Sequence, residues 1–218
     1  PKDFSLFIKK LKKNNIIIDD KSCSLFYENI LKKKFFISSK VDPIYFMKSI
    51  KNKVEIDNMK SSHIFDGVAL TKFLYWIKNK NKKEISEHQA QLKLENFRKE
   101  NKNYLYPSFN TIAGAGKNGA IIHYRADKIG SKKIRKNDIF LCDSGGQYQY
   151  GTTDVTRTIC FSKPKKYIKE IFTKVLKGHI AIATANLNKN FNGKLLDPLA
   201  RKYLIESGLD YKHGTGHG

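Results

Sequence analysis

Two aspartates and one histidine have the residue types and spacing to hold a metal ion. Asp143 and Asp154 flank the segment Ser144-Gly145-Gly146-Gln147-Tyr148-Gln149-Tyr150-Gly151, and His217 closes the run His213-Gly214-Thr215-Gly216-His217. Asp143 ends the apolar stretch Ile139-Phe140-Leu141-Cys142, which predicts a buried strand. Asp154 opens a β-branched run, 154–161, that alternates like a second strand. A reversal between the two runs sets the aspartates opposite one another, at the roughly 4.5–5.5 Å typical of cross-strand neighbours. Two buried anions at that spacing are very costly without a cation, so the pattern asks for a metal. Oxygen donors with a single imidazole suit Mn2+, Co2+, Fe2+ or Zn2+. Two such ions about 3.5–4 Å apart, bridged by hydroxide, make a hydrolytic centre.

The elements that must carry these residues follow from the hydrophobic pattern. Residues 1–42 read as helix (4–11), strand (15–18), helix (24–31) and strand (35–37). They look like the C-terminal part of an accessory domain. Asp42-Pro43 marks a junction, because proline pushes the residue before it toward extended geometry. Beyond it, Ile56, Met59, His63, Val68, Leu70, Phe73, Leu74 and Ile77 recur at near-helical spacing, and 79–83 breaks that helix. His63 lies on this apolar face and reads as a packing histidine. Ser86 and Gln89 form a capping box for a helix running to about residue 101. Residues 107–115 and 119–125 look extended, and the two aspartate-bearing strands follow. Pro164 begins a helix through 185. Asp197 as cap, with Pro198 at the first helical position, opens a last helix that Gly208 stops. Helices flanking a curved antiparallel sheet give an α+β class.

Composition narrows the function classes. The chain has 218 residues, 40% of them hydrophobic, enough for one moderate domain and part of another. No apolar run reaches membrane-spanning length and no signal peptide is visible, so a cytoplasmic protein with no membrane partner is expected. Cys23, Cys142 and Cys160 are few, odd in number and without Cys-x-x-Cys spacing, which argues against a disulfide framework. Cys142 alternates with Asp143 and reads as a core residue. Lys and Arg number 42 against 20 Asp and Glu, a net charge of +22. Such a charge attracts polyanions. The basic clusters are scattered, however, without a nucleic-acid fold signature, and abundant Lys, Asn and Ile fit a coding bias toward A and T. Nucleic acid is not the expected partner.

Several motifs in order sharpen the reading. Asp143-Ser-Gly-Gly-Gln-Tyr148, Gly151-Thr-Thr-Asp154-Val-Thr-Arg157-Thr158 and Gly208-Leu-Asp-Tyr-Lys-His213-Gly-Thr-Gly-His217-Gly218 resemble the aminopeptidase P family. These are Xaa-Pro aminopeptidases of the pita-bread metallopeptidase superfamily, and the wording is nearest the larger three-domain members. The likeness extends upstream through Asn118-Gly119-Ala120-Ile121-Ile122-His123-Tyr124 and 59–70, and covers roughly residues 43–218. It implies a pita-bread catalytic domain over 43–218. It also implies a hydrolase that removes the first residue of peptides with proline in second position. Two divalent ions, manganese foremost, would be held by Asp143, Asp154 (bridging both) and His217, with their hydroxide as nucleophile. His123 would contact the scissile peptide or the charge of the tetrahedral intermediate. His213, four residues before His217 and on the same face if the segment is a strand, would contact substrate. His88 and His179 carry no role. Thr153, Thr156 and Thr158 read as strand formers, with support of the aspartates open to them. Dimerisation is expected by family analogy alone.

The family completes its ligand set with two glutamates downstream of the His-Gly-Thr-Gly-His segment, whereas this chain ends at Gly218. With no initiator Met either, a C-terminally truncated piece is expected, binding metal weakly and inactive by itself. Two rivals share the fold. One is a proline dipeptidase, separated by the peptide length it accepts. The other is a non-catalytic pita-bread binding module, which Asp143, Asp154 and His217 argue against.

Overall fold

Four short elements at the start of the chain gather an apolar core of their own. Helix α1 (Phe4–Lys10), strand β1 (Asn15–Ile18), helix α2 (Leu25–Lys32) and strand β2 (Phe36–Ser39) follow in the expected order. β1 and β2 pair in parallel from Asn15 opposite Phe36 to Ile18 opposite Ser39. A parallel pair needs a crossover, and α2 supplies it. Ile8, Ile18, Leu31 and Phe35 bury together. At the Asp42-Pro43 junction a short helix, α3 (Pro43–Ser49), begins: the Asp42 carboxylate accepts the Ile44 N–H at 2.9 Å. Proline occupies the first turn, where its missing N–H leaves no bond unmade.

The structure, a computed structural model, describes residues 3–79, 85–187 and 192–217. It divides into two compact units, one up to Asn58 and one from Met59. No helix of the described residues is long and apolar enough to cross a membrane.

The second unit is built on an antiparallel sheet of β4 (Ile112–Ala115), β5 (Ile139–Ser144) and β8 (Val155–Cys160), with β5 in the middle. Phe140, Cys142 and Ser144 alternate inward along β5, and Ile139, Leu141 and Asp143 take its other face. Against the inward face pack helices α4 (Lys53–Asn79) and α5 (Glu87–Lys99). Phe73, Ile77, Leu94, Ile134 and Phe140 are fully buried in the shared core, each stabilising the fold by about 1.5–3 kcal/mol. Cys142 lies in this core as a free thiol, its pKa pushed up to about 12 by burial. A second small sheet pairs β3 (Tyr104–Pro107) with β6 (Gly146–Tyr148) and β6 with β7 (Gly151–Thr152), the last two strands lying in the stretch between the two aspartates. Helices α6 (Lys166–Ala183) and α7 (Gly193–Ile205) pack on one another at Gly178. A Cβ there would lie 2.2 Å from the Ala200 carbonyl oxygen.

The α+β expectation holds, as does the capping box: Ser86 Oγ accepts from the Gln89 N–H and Gln89 Oε1 from the Ser86 N–H. Four local readings change. The buried stripe of α4 is Ser62, Asp66, Ala69, Leu70, Phe73 and Ile77, rotated from the purely apolar one, because Asp66 has a buried partner. His63 is therefore exposed, its Nδ1 on the Met59 carbonyl at 2.9 Å. Residues 119–125 are not extended: a 3-10 turn spans Gly116–Ala120, and His123 adopts a left-handed φ of 55°. Helix α7 starts earlier than Asp197: Asn192 caps it, accepting from the N–H groups of Lys194 and Leu195, and Pro198 lies inside. The glycine stop holds, since Gly208 at φ 68° lets the Leu209 N–H reach back to the Leu204 carbonyl. The break at 79–83 falls, after Asn79, outside the described residues.

Candidate metal centre

Strand pairing decides where the carboxylates stand. Along β5 and β8, Asp143 faces Thr156 and Ser144 faces Val155. Asp154, just before β8, is thus displaced by two residues from the position opposite Asp143. The aspartates are diagonal neighbours on one side of the sheet, not a directly facing pair. The reason is the length of the reversal. Residues 146–152 form their own two strands, and the turn region is locked by backbone contacts. Ser108 N–H donates to the Gly145 carbonyl at 3.1 Å, and Ser108 Oγ donates to the Thr153 carbonyl at 2.8 Å. The Gly146 N–H donates to Thr153 Oγ1 at 2.9 Å. Any Cβ on Gly145 would sit 1.9 Å from the Thr153 carbonyl oxygen, so only glycine passes here.

His217 reaches the same place from the far end of the chain, its Nε2 3.5 Å from Asp154 Oδ2. Both side chains are well exposed, 83% and 47%, so the contact adds little as an ion pair in water. Thr156 Oγ1 donates to Asp143 Oδ1 at 2.8 Å. Burial pushes the Asp143 carboxyl above its ordinary value, the Thr156 hydrogen bond opposes this, and the charge of Asp154 adds to the rise. The imidazoles of His123 and His217 lie close enough to lower it again. Four of the five residues singled out in the sequence therefore share one electrostatic neighbourhood.

The donor set there fits a hard divalent cation in kind: two carboxylates in mutual repulsion and one imidazole at a half-buried edge. Among the described residues, no group of three or more His, Cys, Asp and Glu closes to metal-holding distance.

His213 stands elsewhere. Residues 210–217 form no strand, so the alternation that would put both imidazoles on one face is lost. The His213 ring stacks on Tyr211 at 4.7 Å, and its Nδ1 contacts the Gly214 carbonyl at 2.7 Å. With Tyr211 and Thr215 it borders a cleft of about 500 Å3 between α6 and α7 that also contains His179.

Residues to which sequence reasoning assigned no role hold the site from behind. Under Asp143, the neighbouring Ser144 hydroxyl accepts from Arg98 Nη2 at 3.0 Å. Arg98 also makes a two-point ion pair with Asp66, at 2.6 and 3.1 Å, and Tyr148 donates to the same Asp66 carboxylate at 2.8 Å. Burial works against the charged guanidinium, but Asp66 outweighs it and raises the Arg98 pKa. Beside His123, the buried Glu87 accepts from the Ala115 N–H at 2.7 Å, from Asn118 Nδ2 at 3.1 Å and from the Tyr124 hydroxyl at 2.7 Å. It thus ties down both ends of the turn that presents His123. Burial first, then the bond to Glu87, pushes the Tyr124 hydroxyl up to about 12. An aspartate on the buried stripe of one helix and an arginine in the last turn of the next were the available signals for the first network. Glu87 had none beyond its place in a first helical turn.

Comparison with known proteins gives concordant findings. The family model described as metallopeptidase family M24 matches residues 57–218. A probable Xaa-Pro aminopeptidase P of Paracoccidioides brasiliensis is 44% identical over 207 residues, 85% of this chain and 34% of that protein. A probable Xaa-Pro aminopeptidase P of Aspergillus flavus is 49% identical over 179 residues, 81% of this chain and 27% of its own length. The chain thus spans about a third of the length of the curated relatives it matches. The crystal structure of an X-prolyl aminopeptidase from Caenorhabditis elegans, described as a cytosolic enzyme with a di-nuclear active site, superimposes with a TM-score of 0.78. It is 36% identical and covers 87% of this chain and 31% of its own. A prolidase from Pyrococcus furiosus gives the same TM-score at 25% identity, with 95% and 60% covered.

Proposed function

Because the chain belongs to metallopeptidase family M24 and has its pita-bread fold, we propose that the whole protein is a metal-dependent aminopeptidase. It releases the N-terminal residue from peptides with proline in second position. The observation that carries this reading is the convergence of Asp143, Asp154, His217 and His123 in one neighbourhood, in a chain 44% and 49% identical to probable Xaa-Pro aminopeptidases P. Proline's locked φ and missing N–H call for a dedicated site, which is the chemical sense of such a specialised enzyme.

Asp143, Asp154 and His217 would hold two divalent ions, manganese foremost, with further carboxylates of the whole protein completing their shells. Bound ions supply Lewis acidity toward the peptide carbonyl and lower the pKa of water. Thr156 orients the Asp143 carboxylate, leaving its second oxygen available. His123, held by a left-handed backbone and the Tyr124–Glu87 tie, would hydrogen-bond the scissile peptide and the oxyanion it becomes. His213 would contact substrate further along. Residues 1–42 would be the C-terminal part of an accessory domain and 43–218 the catalytic part. A cytoplasmic location is proposed from the Caenorhabditis elegans relative.

The test is an assay of the whole protein, with Mn2+ added, on an Xaa-Pro-Yaa tripeptide and on an Xaa-Pro dipeptide. Release of the first residue of the tripeptide, lost with chelator and in Asp154→Ala, is the expected result. Cleavage confined to the dipeptide would make the protein a proline dipeptidase. No cleavage of either would leave a binding module.

A further inference from the structure

The segment that delivers His217 has no regular secondary structure, so its position must come from outside it. It comes from one turn of α7. Arg201 Nε donates to Asp197 Oδ2 at 2.8 Å. Its Nη1 donates to Asp210 Oδ1 at 2.8 Å and to the Tyr211 carbonyl at 2.6 Å, and its Nη2 to the His213 carbonyl at 2.8 Å. The guanidinium also lies over the Tyr211 ring, 4.0 Å from its centroid. Asp197 uses its other oxygen to accept from the Thr215 hydroxyl, which shares a second hydrogen bond with the Tyr211 hydroxyl. Residues 211, 213 and 215 are thereby fastened to one helical turn, and His217 follows two residues later.

A planar fork of five donors is what lets a single side chain hold two carbonyls and two carboxylates at once. An ammonium group supplies the charge without that geometry. The mount is stiff as well: Ala200, next to Arg201, is in contact with Gly178 of α6 so closely that no side chain fits between them. Sites are most accurately held when their supports sit on rigid elements.

We propose that Arg201, braced by Asp197, is a positioning residue that sets the His213–His217 segment and so delivers the His217 imidazole to Asp154 and Asp143. The inference rests on the reading of Asp143, Asp154 and His217 as metal ligands. It adds to that reading the device that makes an otherwise unsupported glycine-rich segment a competent ligand arm.

The experiment compares the whole protein with Arg201→Lys, Arg201→Ala, Asp197→Asn and, as control for the ligand reading, Asp154→Ala. Two readouts are taken on protein verified as folded by circular dichroism. They are amide hydrogen exchange of residues 210–217 without metal, and Mn2+ affinity by titration calorimetry. Arg201→Lys is expected to behave like Arg201→Ala, with faster exchange over 210–217 and Mn2+ binding weakened about 10- to 100-fold. Asp197→Asn falls between these and the wild type, and carries the comparison with Arg201→Lys if Arg201→Ala does not fold. Wild-type exchange and affinity in Arg201→Lys would overturn the proposal. So would a lowered melting temperature in the Arg201 variants with unchanged affinity, which marks a merely structural role. If the wild type binds no Mn2+, or Asp154→Ala binds it equally well, the ligand reading fails and the inference with it. Binding lost in Asp154→Ala but intact in both Arg201 variants overturns the positioning role alone.

Discussion

Asp143 is paired with Thr156 across β5 and β8, and Asp154 stands two residues before Thr156 on the same side, so the two carboxylates meet on a diagonal. Cross-strand diagonals are typically about 7–8 Å between Cα atoms, near enough for repulsion and wide enough for cations to enter. Thr156 fills the space directly across from Asp143 and gives it a hydrogen bond at 2.8 Å.

In the metal-free protein that repulsion is offset only in part, by the Thr156 hydrogen bond and the imidazoles of His123 and His217. Asp154→Asn removes it and forfeits only an exposed contact to His217. The melting temperature in chelator should rise by roughly 1–3 °C, while the increase that added Mn2+ is expected to give the wild type should be lost. Differential scanning calorimetry with and without Mn2+ checks both halves; a lower midpoint in chelator would count against the account.

Arg98 and Asp66 are 1% and 3% exposed at their side chains, so removing one partner strands a buried charge. Asp66→Ala should cost about 3–5 kcal/mol in urea unfolding. The double change Asp66→Leu with Arg98→Met should recover much of that loss, because paired apolar groups of similar volume relieve the desolvation. Equal losses in the single and double variants would argue against it.

Glu87 is fully buried and surrounded by donors from Ala115, Asn118 and Tyr124. Glu87→Gln turns one acceptor oxygen into an amide that faces those donors. A loss of about 1–3 kcal/mol is expected, together with shifted amide resonances over 118–124, the turn that carries His123. Nuclear magnetic resonance spectra unchanged in that turn would show that Glu87 does not hold it.

The Asp197 carboxyl is held below its ordinary value, first by the hydrogen bond from Arg201 and then by that from Thr215. A depressed folded-state pKa contributes stability that is present above the unfolded value, 3.8, and is lost as pH falls through the lower folded value. Urea midpoints of wild type and Asp197→Asn should therefore differ at pH 5 and converge as the pH drops below 3.8. A constant gap down to pH 2.5 would assign the difference to something other than this charge.

Sequence alone determined the parts whose physics is local. The alternation of 139–144 places Cys142 inward and Asp143 outward on one strand, because side chains of an extended chain point to opposite faces. The Ser86–Gln89 box and the stop at Gly208 are settled within a few residues by capping and by glycine's access to positive φ. The family motifs around Asp143, Asp154 and His217 were legible for the same reason: they are contiguous words. Tertiary structure alone decided what depends on partners far along the chain. The buried face of α4 turns on Arg98, 32 residues after Asp66, since a buried charge outweighs apolar periodicity. The Asp143–Thr156 register turns on how Ser108 and Thr153 close the reversal around Gly145. The place of the His213–His217 segment turns on Arg201, because a glycine-rich stretch without a ladder of its own takes whatever conformation its neighbours' hydrogen bonds impose.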